Sequence, residues 1–551
     1  MGALPAVGND IVAALLQNQD FVSGITKMLG QSLNLEERLA KADTINTATN
    51  LLWYDLRPVV QMLYPFKELI PRISKLPRVP YDGGNAFHWK RIVAVNTANI
   101  ALGVSEGNRG ARIAISEQDM MATYKTMGLE SSVTFQARWG AKNLDPEALG
   151  IAVQSTLRSV MIGEEQTLLL GDSSTPLGLT PLPTLSAGGS TGAWGGTVTV
   201  YVICVALAGF GQLGYVPYNA STGNGGIPGQ ISRVNADGTV DTYGGGSAQP
   251  STEASTAGVT TAQVVTASVT PVVGAVAYAW FVGTATGAET LAGITAAAKV
   301  TFTKNPGASA QPITALKVGG VYQDNSTNVL LPDGVLSQIY GAVTGAAPGT
   351  SMSTNTVLPT PANAVLTISA SGSIVATMNQ GNSGLTISGT NITEFDAVLQ
   401  AAYDQYKIGY DRILMSSVDI NNFLGTFFAG SASNTFRIMF DADAETGRIV
   451  AGRRVTSYLN KFFGNTLDIE VHPFVPPGTI IFWADRTPYE LSGVANILEA
   501  HVRQDYYQLQ WPFRTMRYEF GCYVDEVFVG YFMPAFGVIT NLNPATGVPG
   551  F

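Results

Sequence analysis

From Asp468 to Leu542 the chain repeats one pattern, in which short aromatic and β-branched runs are broken by turn chemistry. Pro476-Pro477-Gly478, Asp485-Arg486-Thr487-Pro488 and Ser492-Gly493 supply the breaks. Runs of this kind form strands that need a core on at least one face. The stretch carries no convergent set of acids, bases or metal ligands, so it reads as packing sequence and points away from an enzyme.

At 551 residues the chain exceeds what one compact core organises, which implies two or more domains. Charged residues make up 13%, against a usual share of about 25%. That scarcity implies a surface largely covered by something other than water. Sixty glycines and 28 prolines imply many turns and a β-rich chain. A net charge of -9 argues against wrapping nucleic acid through a basic face. Cys204 and Cys522 are too few for a disulfide framework and read as reduced, buried thiols. The opening MGALPAVGNDIVAALLQNQ lacks a basic n-region, so it does not read as a signal peptide. Val198–Gly211 is apolar but shorter than the roughly 18 residues of a membrane helix, and reads as a buried strand. A protein made in a reducing cytoplasm is expected.

Residues 1–75 mix helical periodicity with Pro58, Pro65 and Pro71, and cannot build a core of their own. They read as an arm laid across another surface. Residues 79–139 alternate apolar and polar positions through Phe87–Val93, Arg112–Ile115 and Ser131–Phe135, around the polar turn Glu106–Gly110. That pattern predicts a long ribbon, which is marginal in water without a partner surface. The clearest helix spans Asp145–Leu170, with Asp145 as N-cap, Pro146 at the first helical position and Glu147 near the positive end of the dipole. Leu149, Val153, Leu157, Val160, Ile162 and Leu168 give it an apolar side, and Gly171 is expected to close it in the left-handed conformation. Its length of roughly 37 Å makes it a spine.

Between Thr184 and Ala310 the charged residues are Arg233, Asp237, Asp241, Glu253, Glu289, Lys299 and Lys304. Strand-like pieces recur at Thr197–Val205, Thr261–Val269, Val276–Val282 and Lys299–Thr303, and Tyr278, Trp280 and Phe281 supply core material. A small β-sandwich is predicted. Beyond it, a short helix opened by Asp333-Gly334-Val335-Leu336, a helix at Glu394–Ile408, a strand at Asp411–Ser416, a helix at Val418–Phe428 and a hairpin at Phe436–Val455 make an α/β arrangement.

The motifs that could carry chemistry are weak. Gly209-Phe-Gly211-Gln-Leu-Gly214 matches a dinucleotide fingerprint, but Pro217 follows where a helix is needed, so a flexible loop is the better reading. Gly188-Gly-Ser190-Thr-Gly192 has no preceding strand and no assignable histidine. His88, His472 and His501 are isolated. Asp441, Asp443 and Glu445 form an acidic turn, read as a solvated hairpin tip or, alternatively, a weak cation site at a subunit contact. Arg448, Arg453, Arg454 and Lys461 read as a salt-bridging contact surface. Three Asn-x-Ser/Thr matches mean little without a secretion signal. No catalytic residue, cofactor or metal site is assigned beyond that cation candidate.

The order of elements resembles a tailed-bacteriophage major capsid protein of the Hong Kong ninety-seven fold. Asn143–Gly178 is similar to that family's spine helix and following loop. Asn391–Leu424, with Tyr410-Asp-Arg-Ile-Leu-Met-Ser416, is similar to its helix–strand–helix stretch, and Val471–Leu491 with Arg514–Phe528 to its closing strands. Gly274–Gly283 resembles part of an immunoglobulin-like or fibronectin-like module. The resemblance implies an α+β fold: an arm (1–75), an extended β-ribbon (76–128), a peripheral domain with the spine helix (129–183), and an inserted immunoglobulin-like sandwich (184–310). An axial domain (311–467), closing strands that return to the axial domain (468–542) and a tail (543–551) complete it.

It further implies a virion structural protein, assembled in the host cytoplasm into hexamers and pentamers of an icosahedral head around double-stranded DNA. Copies of itself would be its main partners, with a separate scaffolding protein, a portal and a decoration protein, and without membrane or sequence-specific DNA binding. Candidate inter-subunit residues are Lys90, Arg91, Glu106, Arg109, Arg112, Arg453 and Arg454. Another assembly protein, such as a tail tube, fibre, decoration or surface-layer subunit, is the alternative. A hydrolase with decorative β modules would need a set of catalytic groups that the sequence does not offer.

Overall fold

The computed structural model describes residues 67–543, apart from 81–82, 96–102, 111–114, 141–147, 308, 342–357, 380–383, 389–390, 430–454, 486–495 and 514. Asp145, Pro146 and Glu147, the expected start of the spine helix, lie outside the described residues, as does the expected hairpin at Phe436–Val455. The chain divides into two compact units. One gathers Thr126–Glu165 and Val502–Glu526 with the residues up to Leu76, and the other holds the remainder.

In the first unit the helix Ala148–Leu170 contributes Leu157 and Val160 to a core with Met127, Val502, Tyr506, Cys522 and Val524. The strands Leu498–Gln510, Arg517–Gly530 and Lys125–Thr134 lie side by side in that order. Alternation along the strands explains the core, since Cys522 and Val524 point to one face. Burial deepens along the helix: Val160 and Met161 are buried, and Leu168, Leu169 and Leu170 are buried all round.

In the second unit Gly171 follows the helix without adopting positive φ. Glycine is required there by close approach, because a Cβ would stand 2.3 Å from the carbonyl oxygen of Pro332 and 2.6 Å from that of Thr167. The expectation of a left-handed closure is therefore corrected. A mixed seven-stranded sheet runs in the order Ala364–Ile368, Ile374–Met378, Phe536–Thr540, Ile480–Trp483, Arg412–Met415, Thr466–Val471, Ser457–Leu459. Two of its neighbouring pairs, Ile374–Met378 with Phe536–Thr540 and Arg412–Met415 with Thr466–Val471, are parallel. The helix Thr393–Tyr406 buries Phe395, Val398, Leu399 and Ala402. Lys407 ends it in the left-handed region. The closing stretch thus divides between two sheets, three of its strands joining this one.

A second pair of sheets lies between residues 184 and 302. Ala254–Val259, Val198–Leu207, Ala277–Gly283 and Thr290–Thr295 form one. Lys299–Phe302, Val264–Ser268 and Thr184–Gly188 form the other. Val200, Val202, Cys204, Tyr278, Trp280 and Val282 from the first meet Val265, Ala267, Val300 and Phe302 from the second in a single core. Trp280 is completely buried, and its indole N–H donates to Thr295 Oγ1 at 2.7 Å, which satisfies the one polar group the ring brings inside. Ala277–Gly283 is buried on both faces, which explains its unbroken apolar sequence. The outgoing and returning chains meet outside residues 184–310. Leu177 N–H donates to Ser326 Oγ and Gly178 N–H to Asp324 Oδ2, at 2.9 and 2.7 Å.

Gly209–Leu213 is a short helix with Gly209 and Gly211 buried, and not the flexible loop expected of the glycine motif. A Cβ at Gly211 would stand 2.3 Å from the carbonyl oxygen of Gly246, so the glycine serves packing.

Asn541 ties this double sheet to the seven-stranded one. It is buried at φ 61°, where its Oδ1 accepts from Ala298 N–H and its Nδ2 donates to Met378 O, each at 2.6 Å. Beside it, Gly478 lies so close to Ala296 that a Cβ would stand 2.3 Å from the alanine Cβ. Asp419 accepts the Gly478 N–H at 2.9 Å and exchanges bonds with Ser416 at the start of the helix Ser417–Ala429. Asn541→Leu loses both bonds and strains the backbone, and should lower stability by about 2–4 kcal/mol. Asn541→Gly, which keeps the conformation, should cost less; urea unfolding followed by tryptophan fluorescence measures both.

Candidate assembly surfaces

The antiparallel ribbon pairs Ala86–Val95 with Ile115–Thr123. Its inward face is set by alternation: Phe87 opposes Ala122 and Trp89 opposes Met120. These four pack with Tyr124 against Val527, Val529 and Tyr531. Phe87 also stacks on His501 at 3.8 Å, and His501 Nε2 lies 2.8 Å from Tyr531 Oη. The ribbon is therefore fastened at its base. At the far end every residue from Gly103 to Gly110 is exposed. Gly107 at φ 85° and the Asn108 N–H bond to Ser105 O close the tip turn.

Of the contact residues predicted from the sequence, Lys90, Arg91, Glu106 and Arg109 fall on this ribbon. Glu106 and Arg109 share the exposed tip turn. Lys90 stands on the outward face, 3.5 Å from Asp119, in an exposed pair of little energetic weight. Arg91 lies in the strand, but its side chain is outside the described residues, as are Arg112, Arg453 and Arg454, and the acidic turn Asp441, Asp443 and Glu445. Among the described residues no group of three His, Cys, Asp or Glu side chains is placed to hold a metal.

A second surface, in the first unit, went unread in the sequence. Phe135–Gly140 is a short helix whose first N–H, on Phe135, donates to Met516 O at 3.0 Å. Phe135 stacks on Tyr518, Phe513 meets Tyr518 edge-on, and the Arg138 guanidinium lies 4.7 Å over the Tyr518 ring. Trp139, Phe513 and Met516 nevertheless remain 61%, 69% and 67% exposed. Aromatic rings that touch one another yet face water form a contiguous apolar patch of the kind that marks an interaction site. The available signal was Trp511-Pro-Phe-Arg-Thr-Met516, a turn carrying large apolar residues where polar ones are usual.

The long helix carries two buried carboxylates, also unread in its sequence. Glu165 is completely buried; its Oε1 accepts from Arg72 N–H at 3.0 Å and its Oε2 from Ile73 N–H at 2.6 Å. It holds down the turn after Lys67–Leu69, with Ile70 and Ile73 buried beside it. Glu164 accepts from Tyr506 Oη–H. Past the helix end, in the second unit, Ser337 Oγ lies 3.2 Å from both Asp172 Oδ1 and Asp333 Oδ1. Burial, with the Asp333 charge adding, pushes the Asp172 carboxyl up to about 7.

No protein-family model and no curated protein matches the chain. Solved structures do. The cyanophage A-1(L) capsid aligns over 90% of this chain and 99% of its own, at 11% identity and a TM-score of 0.38. The capsid of the native GTA particle covers 90% and 96%, at 8% identity and 0.36. Mycobacterium phage Ogopogo covers 90% and 99%, at 8% identity and 0.33. The chain is similar to phage capsid structures.

The Glu165 receptor should be the fastening of the segment 67–76. Glu165→Ala removes the carboxylate that accepts from both N–H groups and should cost about 2–4 kcal/mol. Hydrogen exchange should then show peptides over 67–76 losing protection, while Glu165→Gln, which keeps one acceptor oxygen, loses less.

Proposed function

We propose that the chain is a structural major capsid protein, building the hexamers and pentamers of an icosahedral phage head around double-stranded DNA. The observation that carries this reading is the ribbon, fastened at its base and exposed from Gly103 to Gly110. A two-stranded element of this kind gains stability only by lying on another surface. A second copy supplies that surface in a closed shell, where each contact is repeated by symmetry.

The aromatic patch around Tyr518 supports the same reading, because monomers rarely leave such a cluster uncovered. The arm and ribbon reach neighbouring copies, with Glu106 and Arg109 at the leading turn. The sheets of residues 184–302 form an immunoglobulin-like module facing outward. A separate scaffolding protein, a portal and a decoration protein complete the set of partners, in a virion assembled in the host cytoplasm. The role is structural: DNA is enclosed, not read.

The double variant Phe513→Asp, Met516→Asp tests the patch. Both side chains are exposed, so the subunit should keep its far-ultraviolet circular dichroism. Losing the burial of even one such side chain removes about 1.5–3 kcal/mol per contact. The concentration needed for assembly, read by light scattering, should rise tenfold or more. Assembly at the wild-type concentration would remove the patch from the interface.

A further inference from the structure

We propose that Glu253 and Glu289 form a proton-sharing clasp, which holds the returning chain of the inserted double sheet and loosens when the pair loses its proton. Glu289 stands immediately before the strand Thr290–Thr295, and Glu253 immediately before Ala254–Val259. Their carboxyl groups converge on one donor. Gly287 N–H lies 3.1 Å from Glu289 Oε1 and 3.2 Å from Glu253 Oε2. Glu253 Oε1 accepts in addition from Thr286 Oγ1–H at 3.1 Å.

One N–H cannot satisfy two carboxylates. Glu289 is completely buried, and its Oε2 has no hydrogen-bond partner. Neither carboxylate has an ion-pair partner among the described residues. Tyr322 stands near enough that the Glu289 charge adds to the burial pushing its hydroxyl up, and Lys317 Nζ lies 4.9 Å from the Tyr322 ring. Two carboxyl groups on one donor repel when both are ionised. A single proton shared between the two carboxyl groups removes the repulsion.

The backbone around Glu289 gives the clasp its consequence. Glu289 O accepts from Ile313 N–H at 3.0 Å, and Leu291 N–H donates to Gln311 O at 2.8 Å. Gln311 in turn brackets Ile227 through both its side-chain oxygen and nitrogen. The chain leaving the double sheet is therefore bonded to the residues flanking Glu289.

Burial, with Glu253 adding, pushes the Glu289 carboxyl up to about 7, while Glu253 is held below its usual range. The titration belongs to the pair. A folded-state value raised above the ordinary carboxyl value gives stability that is complete at pH about 4 and lost as pH rises through about 7.

Hydrogen exchange of the full chain at pH 5.5 and 8.5, corrected for intrinsic rates, tests the clasp. Peptides covering 284–291 and 309–315 should lose at least tenfold of their protection at the higher pH. Glu253→Gln and Glu289→Gln each place an amide donor between the two groups, so their protection should not respond to pH. Equal wild-type protection at both pH values overturns the proposal, as does a pH response that survives in both variants.

Discussion

Among the described residues, nothing covers all of the rings gathered around Tyr518. Phe135, Phe513 and Arg138 already pack on that tyrosine, yet Trp139, Phe513 and Met516 still face water. The hydrophobic effect makes such a surface costly alone and favourable once covered. The ribbon poses the same problem in another form, since its base is packed and its tip is not. Both features are explained together if the unit of stability is larger than one chain. That also fits a composition poor in charge, because surface destined to be covered does not need it.

Inside each unit, order is imposed by buried polar side chains that receive or bridge backbone groups. Glu165 receives two N–H groups of the segment after Leu69. Asp419 receives Gly478 N–H, and Asn541 bridges Ala298 and Met378. These residues act where irregular backbone enters the interior and would otherwise leave donors or acceptors unpaired. They are specific, because a polar group that is buried and bonded in only one arrangement penalises the others.

The legibility of the fold followed the same division. Periodicity exposed the long helix, the ribbon strand Phe87–Val93, the strand beginning at Val198 and the core residues Tyr278, Trp280 and Phe281, because burial of alternate or one-sided apolar residues writes itself into the sequence. Glu164, Glu165 and Asn541 were not legible, since a buried polar residue looks like a surface one until its partner across the fold is known. Gly171 and Gly211 were read for conformation or flexibility, whereas close backbone approach requires them. The turn at 511–516 has the composition of core sequence, and only the structure shows which of its rings stay outside. The contact candidates Glu106 and Arg109 were legible as a polar turn and share one exposed tip, while Lys90 stands apart from them.

The central claim is that this chain completes itself only in a closed assembly of its own copies. Electron microscopy of the purified full-length chain across a concentration series, alone and beside a co-expressed scaffolding protein, tests it most directly. Closed shells of uniform diameter built from rings of five and six copies are the predicted result. A strictly monomeric species at every concentration, with no shells even beside the scaffold, would contradict it.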